Sequence, residues 1–187
     1  SLIQYNLHQR QRPTYVAFID YTTAFPSVSR DKLLCLLFEN GITGRMWKHL
    51  RERFRTVYIR VLHPDLAAHE HVEVLRGLPE GSRLSPSLFG ICVADLMLGL
   101  RKQFPDATIS HGSASPIWVG GLLYVDDLAL ISTNPAELQA MLDYCQYWSE
   151  QARMQINADK SKVMVFHENP DNRKTRLKGR PVFQISP

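Results

Sequence analysis

Leu122-Leu123-Tyr124-Val125-Asp126-Asp127-Leu128-Ala129-Leu130 sets two adjacent carboxylates inside an otherwise apolar run. Aspartate is disfavoured in strand interiors, and a buried carboxylate needs a cation or hydrogen-bond partners. The pattern predicts two short buried strands joined by a tight turn that carries Asp126 and Asp127 at its tip. Neighbouring carboxylates repel, which drives one towards protonation unless a cation lies between them. Oxygen-only donors of this kind suit Mg2+. A plain polar hairpin turn is the competing explanation, because aspartate is a favoured turn residue. A second acidic strand end upstream weighs against it.

That strand is Tyr15-Val16-Ala17-Phe18-Ile19, a β-prone apolar run that ends abruptly in Asp20. A strand that delivers a carboxylate at its C-terminal end builds a site on a rigid element. Working outward, Ser29 caps a helix from Arg30 to Asn40 with Leu33, Leu34, Leu36, Leu37 and Phe38 apolar and Gly41 as its stop. Thr43 opens a second helix that turns Met46, Trp47, Leu50 and Phe54 inward and gathers Lys48, Arg51 and Arg55 on one face. Residues 57–62 and 71–75 read as a strand pair around Pro64-Asp65. Gly77-Leu78-Pro79-Glu80-Gly81 is an irregular loop where backbone can approach a ligand closely. Ser85 as cap and Pro86 as first helical residue start a long apolar helix, halted by Pro105.

Residues 106–116 read as a loop, and Ile117 to Tyr124 with Leu128 to Ser132 as the hairpin. Asn134, Pro135 and Glu137 open a capped helix whose inward stripe is Leu138, Met141, Leu142, Cys145 and Trp148. A turn through Asn157 and Lys160 leads into the strand Val163-Met164-Val165-Phe166. The fold class is α+β, a mostly antiparallel sheet with helices packed on one face. Asp20 and the pair Asp126-Asp127 would then meet at one sheet edge. Three such acids suit two-metal nucleotidyl transfer, with two Mg2+ about 4 Å apart. Substrate phosphates and water would complete each octahedron.

The 187 residues suffice for one domain with a real core. At 44% hydrophobic and 21% charged residues the chain is of ordinary globular composition, which argues against disorder. No apolar run approaches the roughly 20 residues of a membrane span, and the first residues show no signal peptide. Cys35, Cys92 and Cys145 are odd in number and lack CxxC spacing, which predicts reduced core thiols in an intracellular protein. The seven histidines show no ligand-like grouping. A net charge of +4 is compatible with a nucleic-acid partner. Its two basic clusters, Arg45 to Arg55 and Arg173 to Arg180, read equally well as a solvated helix face and a tail.

Five groups of residues carry a family likeness: Phe18-Ile19-Asp20; Ala24-Phe25; Gly77-Leu78-Pro79-Glu80-Gly81-Ser82 with Leu84-Ser85-Pro86; Tyr124-Val125-Asp126-Asp127; and Asn157 with Lys160. In order and spacing they resemble reverse transcriptase palm motifs A to D, most closely those of non-LTR (LINE-like) retrotransposons. The resemblance runs from about Tyr15 to Phe166. It implies a polymerase palm with a ferredoxin-like core over residues 15–166, with a short strand-pair insertion near 57–75. Residues 1–14 would be the tail of an upstream fingers element, and residues 167–187 a polar basic loop towards a primer grip and thumb.

The implied activity is RNA-directed DNA polymerisation, adding dNTPs to a primer 3′-hydroxyl with Mg2+ (Mn2+ as a substitute). RNA template, DNA primer and dNTPs are the implied partners, the nucleus is the implied location, and the segment alone is expected to be inactive or weak. Asp20 and Asp126 would hold both metals, Asp127 would support them and the Tyr21 carbonyl would add a ligand. Phe25 falls where the family carries an aromatic steric gate against a ribose 2′-hydroxyl, although a plain core position remains open. Lys160 would protonate the leaving pyrophosphate, with a solvated surface lysine as the alternative. Glu80, Gly81 and Arg83 lie in the loop expected to support template and nucleotide.

Two positions depart from the family pattern. Pro26 stands where many members have an acid and is expected to push Phe25 into an extended conformation. Glu80 stands in place of the usual glutamine, with Arg83 as a candidate to neutralise it. Both departures keep open a catalytically silent palm that binds nucleic acid. An RNA-dependent RNA polymerase or a nucleotide cyclase fits the acids but not Phe25 as a gate.

Overall fold

Apolar strands flanked by capped helices assemble as the pattern predicts. The computed structural model describes residues 13–60, 71–79, 81–109 and 115–166. Among these, β1 (Thr14–Ile19) and β8 (Asp127–Ser132) are the inner strands of a four-stranded antiparallel sheet ordered β10-β1-β8-β7, with β7 at Gly121–Tyr124 and β10 at Lys162–Phe166. The register pairs Ala17 with Leu130, Ile19 with Leu128, and Leu123 with Leu128. Alternation puts these side chains on the face covered by helices.

That cover comes from α4 (Ser85–Gln103) and α5 (Pro135–Ala152). They bury Phe89, Cys92, Leu96 and Leu100 from the first helix, and Leu138, Met141, Cys145 and Trp148 from the second. The layer is extended by α2 (Arg30–Glu39) and α3 (Gly44–Arg55) through Leu33, Leu37, Leu50 and Phe54. On the opposite sheet face Phe18, Leu122 and Met164 are exposed, and so is Tyr124 beside the turn.

Two helices are capped by the side chains expected to do it, while Thr43 before α3 makes no side-chain cap. The Ser29 hydroxyl accepts from the Lys32 N–H, and the Asn134 carboxamide oxygen accepts from the Ala136 N–H at 2.9 Å. The α5 helix ends on Arg153 in the left-handed region. No helix among the described residues is long and apolar enough to cross a membrane.

Several expectations are corrected. Met46 is exposed rather than inward, because Trp47 makes the contact to α2: its indole N–H donates to the Leu34 carbonyl at 2.9 Å and its ring meets Phe38 edge-on. Phe38 and Cys35 also face out. Residues 106–116 are not all loop, since β5 (Thr108–Ile109) pairs with β6 (Ile117–Trp118). The segment from Ile117 to Tyr124 breaks into two strands where the Trp118 indole is tied to the Phe104 carbonyl. Ser85 is the first helical residue and not the cap, its hydroxyl donating to the Pro79 carbonyl at 2.6 Å.

The strand pair is shorter than expected, β3 (Tyr58–Arg60) against β4 (His71–Glu73). Its loop at Pro64-Asp65, residues 1–12, Glu80 and the basic cluster Arg173 to Arg180 lie outside the described residues.

Candidate active site

The site begins with where two strands stop. Ile19 pairs with Leu128, so Asp20 directly follows the last paired residue of β1 while Asp127 directly precedes that partner at the start of β8. Asp127 pairs in turn with Tyr124 across the hairpin. The connecting turn is therefore Val125-Asp126, and Asp127 belongs to the strand rather than the tip. Val125 has φ +58° while Asp126 keeps negative φ, the pattern of a type II′ hairpin turn. A β-branched residue there is strained, because its Cβ crowds the backbone. Strain of this kind persists only when the surroundings over-determine it.

Asp20 and Asp127 open on one cavity of about 530 Å3, lined also by Phe18, Leu122, Tyr124 and Lys160. The Lys160 ammonium, itself exposed, stands 4.0 Å from the partly exposed Asp20 carboxylate. The turn that brings Lys160 there is laced to the backbone of Asp20. The Asn157 N–H donates to the Asp20 carbonyl at 2.8 Å, and the Asp20 N–H donates to the Ser161 hydroxyl at 3.1 Å. The Asn157 side chain accepts from the Lys160 N–H at 3.2 Å. Ser161 is a functional neighbour that sequence reading missed; its cue was a small polar residue directly before an apolar strand.

Asp126 lies in the turn, partly buried, and does not line that cavity. Among the described residues no three His, Cys, Asp or Glu side chains gather closely enough to hold a metal ion. The donor chemistry still fits a hard cation, since Asp20 and Asp127 supply carboxylate oxygens on one cavity and Lys160 already sets a positive charge against one of them.

Tyr21 sits in β2 (Tyr21–Thr22), paired with β9 (Gln155–Ile156). Its ring is buried and its hydroxyl is hydrogen-bonded to that of Ser149 at 3.3 Å, so only its backbone can face a substrate. Burial pushes the Tyr21 phenol above its ordinary pKa.

Phe25 lies in α1 (Ala24–Ser27), a single helical turn, and is not extended as Pro26 led us to expect. Proline is tolerated there because first-turn amides have no intrahelical acceptor. The ring is half-buried and stacks on Phe89 with centroids 4.5 Å apart. The Phe25 carbonyl accepts from the Leu78 N–H at 2.9 Å, and the Gly77 N–H donates to the Val28 carbonyl at 2.9 Å. Gly77 has φ +86°, and a Cβ there would overlap the Pro26 backbone. The loop after β4 is thus welded to the turn after β2. Gly81, at φ +74°, and Arg83 lie exposed beyond it.

A family model described as reverse transcriptase (RNA-dependent DNA polymerase) matches residues 2–180. The chain is 25% identical over 171 residues to the retrovirus-related Pol polyprotein from type-1 retrotransposable element R2 of Nasonia vitripennis, covering 91% of this chain and 16% of that protein. It is 22% identical over 183 residues to the type-2 element R2DM polyprotein of Drosophila melanogaster, covering 98% and 17%. It therefore spans about a sixth of the length of these relatives. Telomerase from Candida tropicalis, solved in complex with a fragment of telomeric RNA, shares the fold at TM-score 0.65 and 10% identity, covering 88% of this chain and 28% of that one. With the match running over nearly every residue, the chain belongs to the reverse transcriptase (RNA-dependent DNA polymerase) family.

Proposed function

We propose that this chain is the catalytic palm of an RNA-directed DNA polymerase that adds dNTPs to a primer 3′-hydroxyl on an RNA template. The observation that carries the reading is the convergence of Asp20, Asp127 and Lys160 on one cavity beside a strained hairpin turn. Asp20 and Asp127, with Asp126 next to them, would hold divalent ions, with Mg2+ as the ion of choice for oxygen donors. When bound, the ions would lower the pKa of the attacking hydroxyl and neutralise charge on the departing pyrophosphate.

The chain's own groups do the rest. Lys160 would give a proton to the leaving group, Phe25 would press on the sugar, and the loop at Gly81 and Arg83 would support template and nucleotide. RNA template, DNA primer and dNTPs are the partners, fingers and thumb would come from the same polypeptide, and we place the protein in the nucleus.

Primer extension by the full-length protein tests this. Asp20→Ala and Asp126→Ala should each abolish dNTP incorporation, and undiminished extension would overturn the assignment. A silent, nucleic-acid-binding palm is favoured by one observation, that among the described residues no three acids are gathered at metal-ligand spacing. It predicts a wild-type protein that binds primer–template and does not extend it.

A further inference from the structure

Arg30 is out of place by every local rule. It is the first residue of α2, where the helix dipole disfavours a cation. It is also buried, and among the described residues no carboxylate pairs with it. Its guanidinium is spent on backbone carbonyls. Nε donates to Gly77 at 2.9 Å, one Nη to Val74 at 2.6 Å and Phe54 at 3.4 Å, and the other Nη to Arg76 at 3.2 Å. Its Cζ also lies 5.9 Å from the centre of the Phe54 ring. A buried cation is tolerated only when its donors are filled, and the rigid planar fork of arginine can fill several divergent acceptors at once.

Three of those four carbonyls belong to residues 74–77, the run that leads into the loop welded to α1. From there the path to the sugar side is short. The Gly77 N–H reaches Val28, the Leu78 N–H reaches the Phe25 carbonyl, and Gly77 packs without a Cβ against Pro26. We propose that Arg30 is a positioning residue for the incoming nucleotide: its fork holds residues 74–77 at the height that sets Phe25 against Phe89, and so tunes deoxyribose-over-ribose selectivity without touching the nucleotide. The inference rests on the polymerase reading of the site and on Phe25 as its sugar contact.

The test uses the full-length enzyme and two variants that attack the weld from opposite sides, Arg30→Lys and Gly77→Ala. Lysine keeps charge and stem but cannot span the four acceptors; alanine leaves Arg30 intact and drives a methyl into Pro26. Both should raise the dNTP KM about tenfold while kcat changes less than about threefold. Both should narrow dNTP-over-rNTP selectivity about tenfold, and hydrogen exchange of the peptide spanning residues 74–79 should accelerate about tenfold or more in Arg30→Lys. Unchanged exchange, or faster exchange with unchanged selectivity, overturns the proposal. So does a loss of kcat that tracks lost thermal stability at constant KM, the signature of a merely structural arginine. A wild type that incorporates neither sugar sinks the polymerase reading and this inference together. A wild type that discriminates while Arg30→Lys discriminates equally sinks the inference alone.

Discussion

At the residue scale, exposure separates what Lys160 does for stability from what it does for chemistry. Its ion pair with Asp20 is 4.0 Å long and open to solvent, so it contributes little to folding. Proton donation by a positioned side chain is typically worth about 10²- to 10⁴-fold. Lys160→Leu should therefore lower the single-turnover rate by that order while leaving the thermal midpoint in place, and an unchanged rate would make Lys160 a surface lysine. Phe25→Ala should admit ribonucleotides, because it removes the ring that Phe89 holds from behind; unchanged sugar selectivity would assign Phe25 to the core. Val125 offers a third handle. Its positive φ costs about 1–3 kcal/mol, and Val125→Gly should return about 1 kcal/mol of that in urea denaturation after the entropy glycine adds to the unfolded chain.

At the scale of elements, helix starts and strand ends were legible because they depend on neighbours in sequence. Ser29 and Asn134 cap the helices that follow them, since a side-chain oxygen can reach an unpaired N–H only two or three residues on. Asn134→Ala should cost about 1 kcal/mol by equilibrium unfolding; a cost near zero would mean water replaces the cap. Asp20 was legible for a related reason: a charge that interrupts an apolar strand must mark its end. Elements closed by distant partners were less legible. The β5–β6 pair joins segments too short to show a period, and the helical turn holding Phe25 is set by contacts with residues 77 and 78.

At the scale of the molecule, one buried layer links stability to pH. Cys92 lies in the helix-covered core, where burial lifts its thiol from 9.0 to about 11, and Cys145 and Tyr21 are raised for the same reason. Between the unfolded and folded values the unfolded chain releases protons that the native core retains. Stability present below pH 9 should thus be lost as pH rises, by about 1.4 kcal/mol per pH unit for each of the two thiols above pH 9, with Tyr21 joining only above pH 10. Urea midpoints at pH 7, 9 and 10 should fall in that order, and Cys92→Ala should flatten the decline; a midpoint independent of pH would refute the burial of these groups. The α+β class, the main-sheet strands, the long helices and the acidic strand ends were all written in local sequence, because they follow from periodicity, capping and interrupted apolar runs. Folding in three dimensions settled that it is Asp127 and not Asp126 that shares a cavity with Asp20, that Ser161 holds the Asp20 backbone, and that Arg30 binds carbonyls up to 47 residues away. Those depend on register and on chain segments meeting in space, and no local pattern of residues encodes the distance between them.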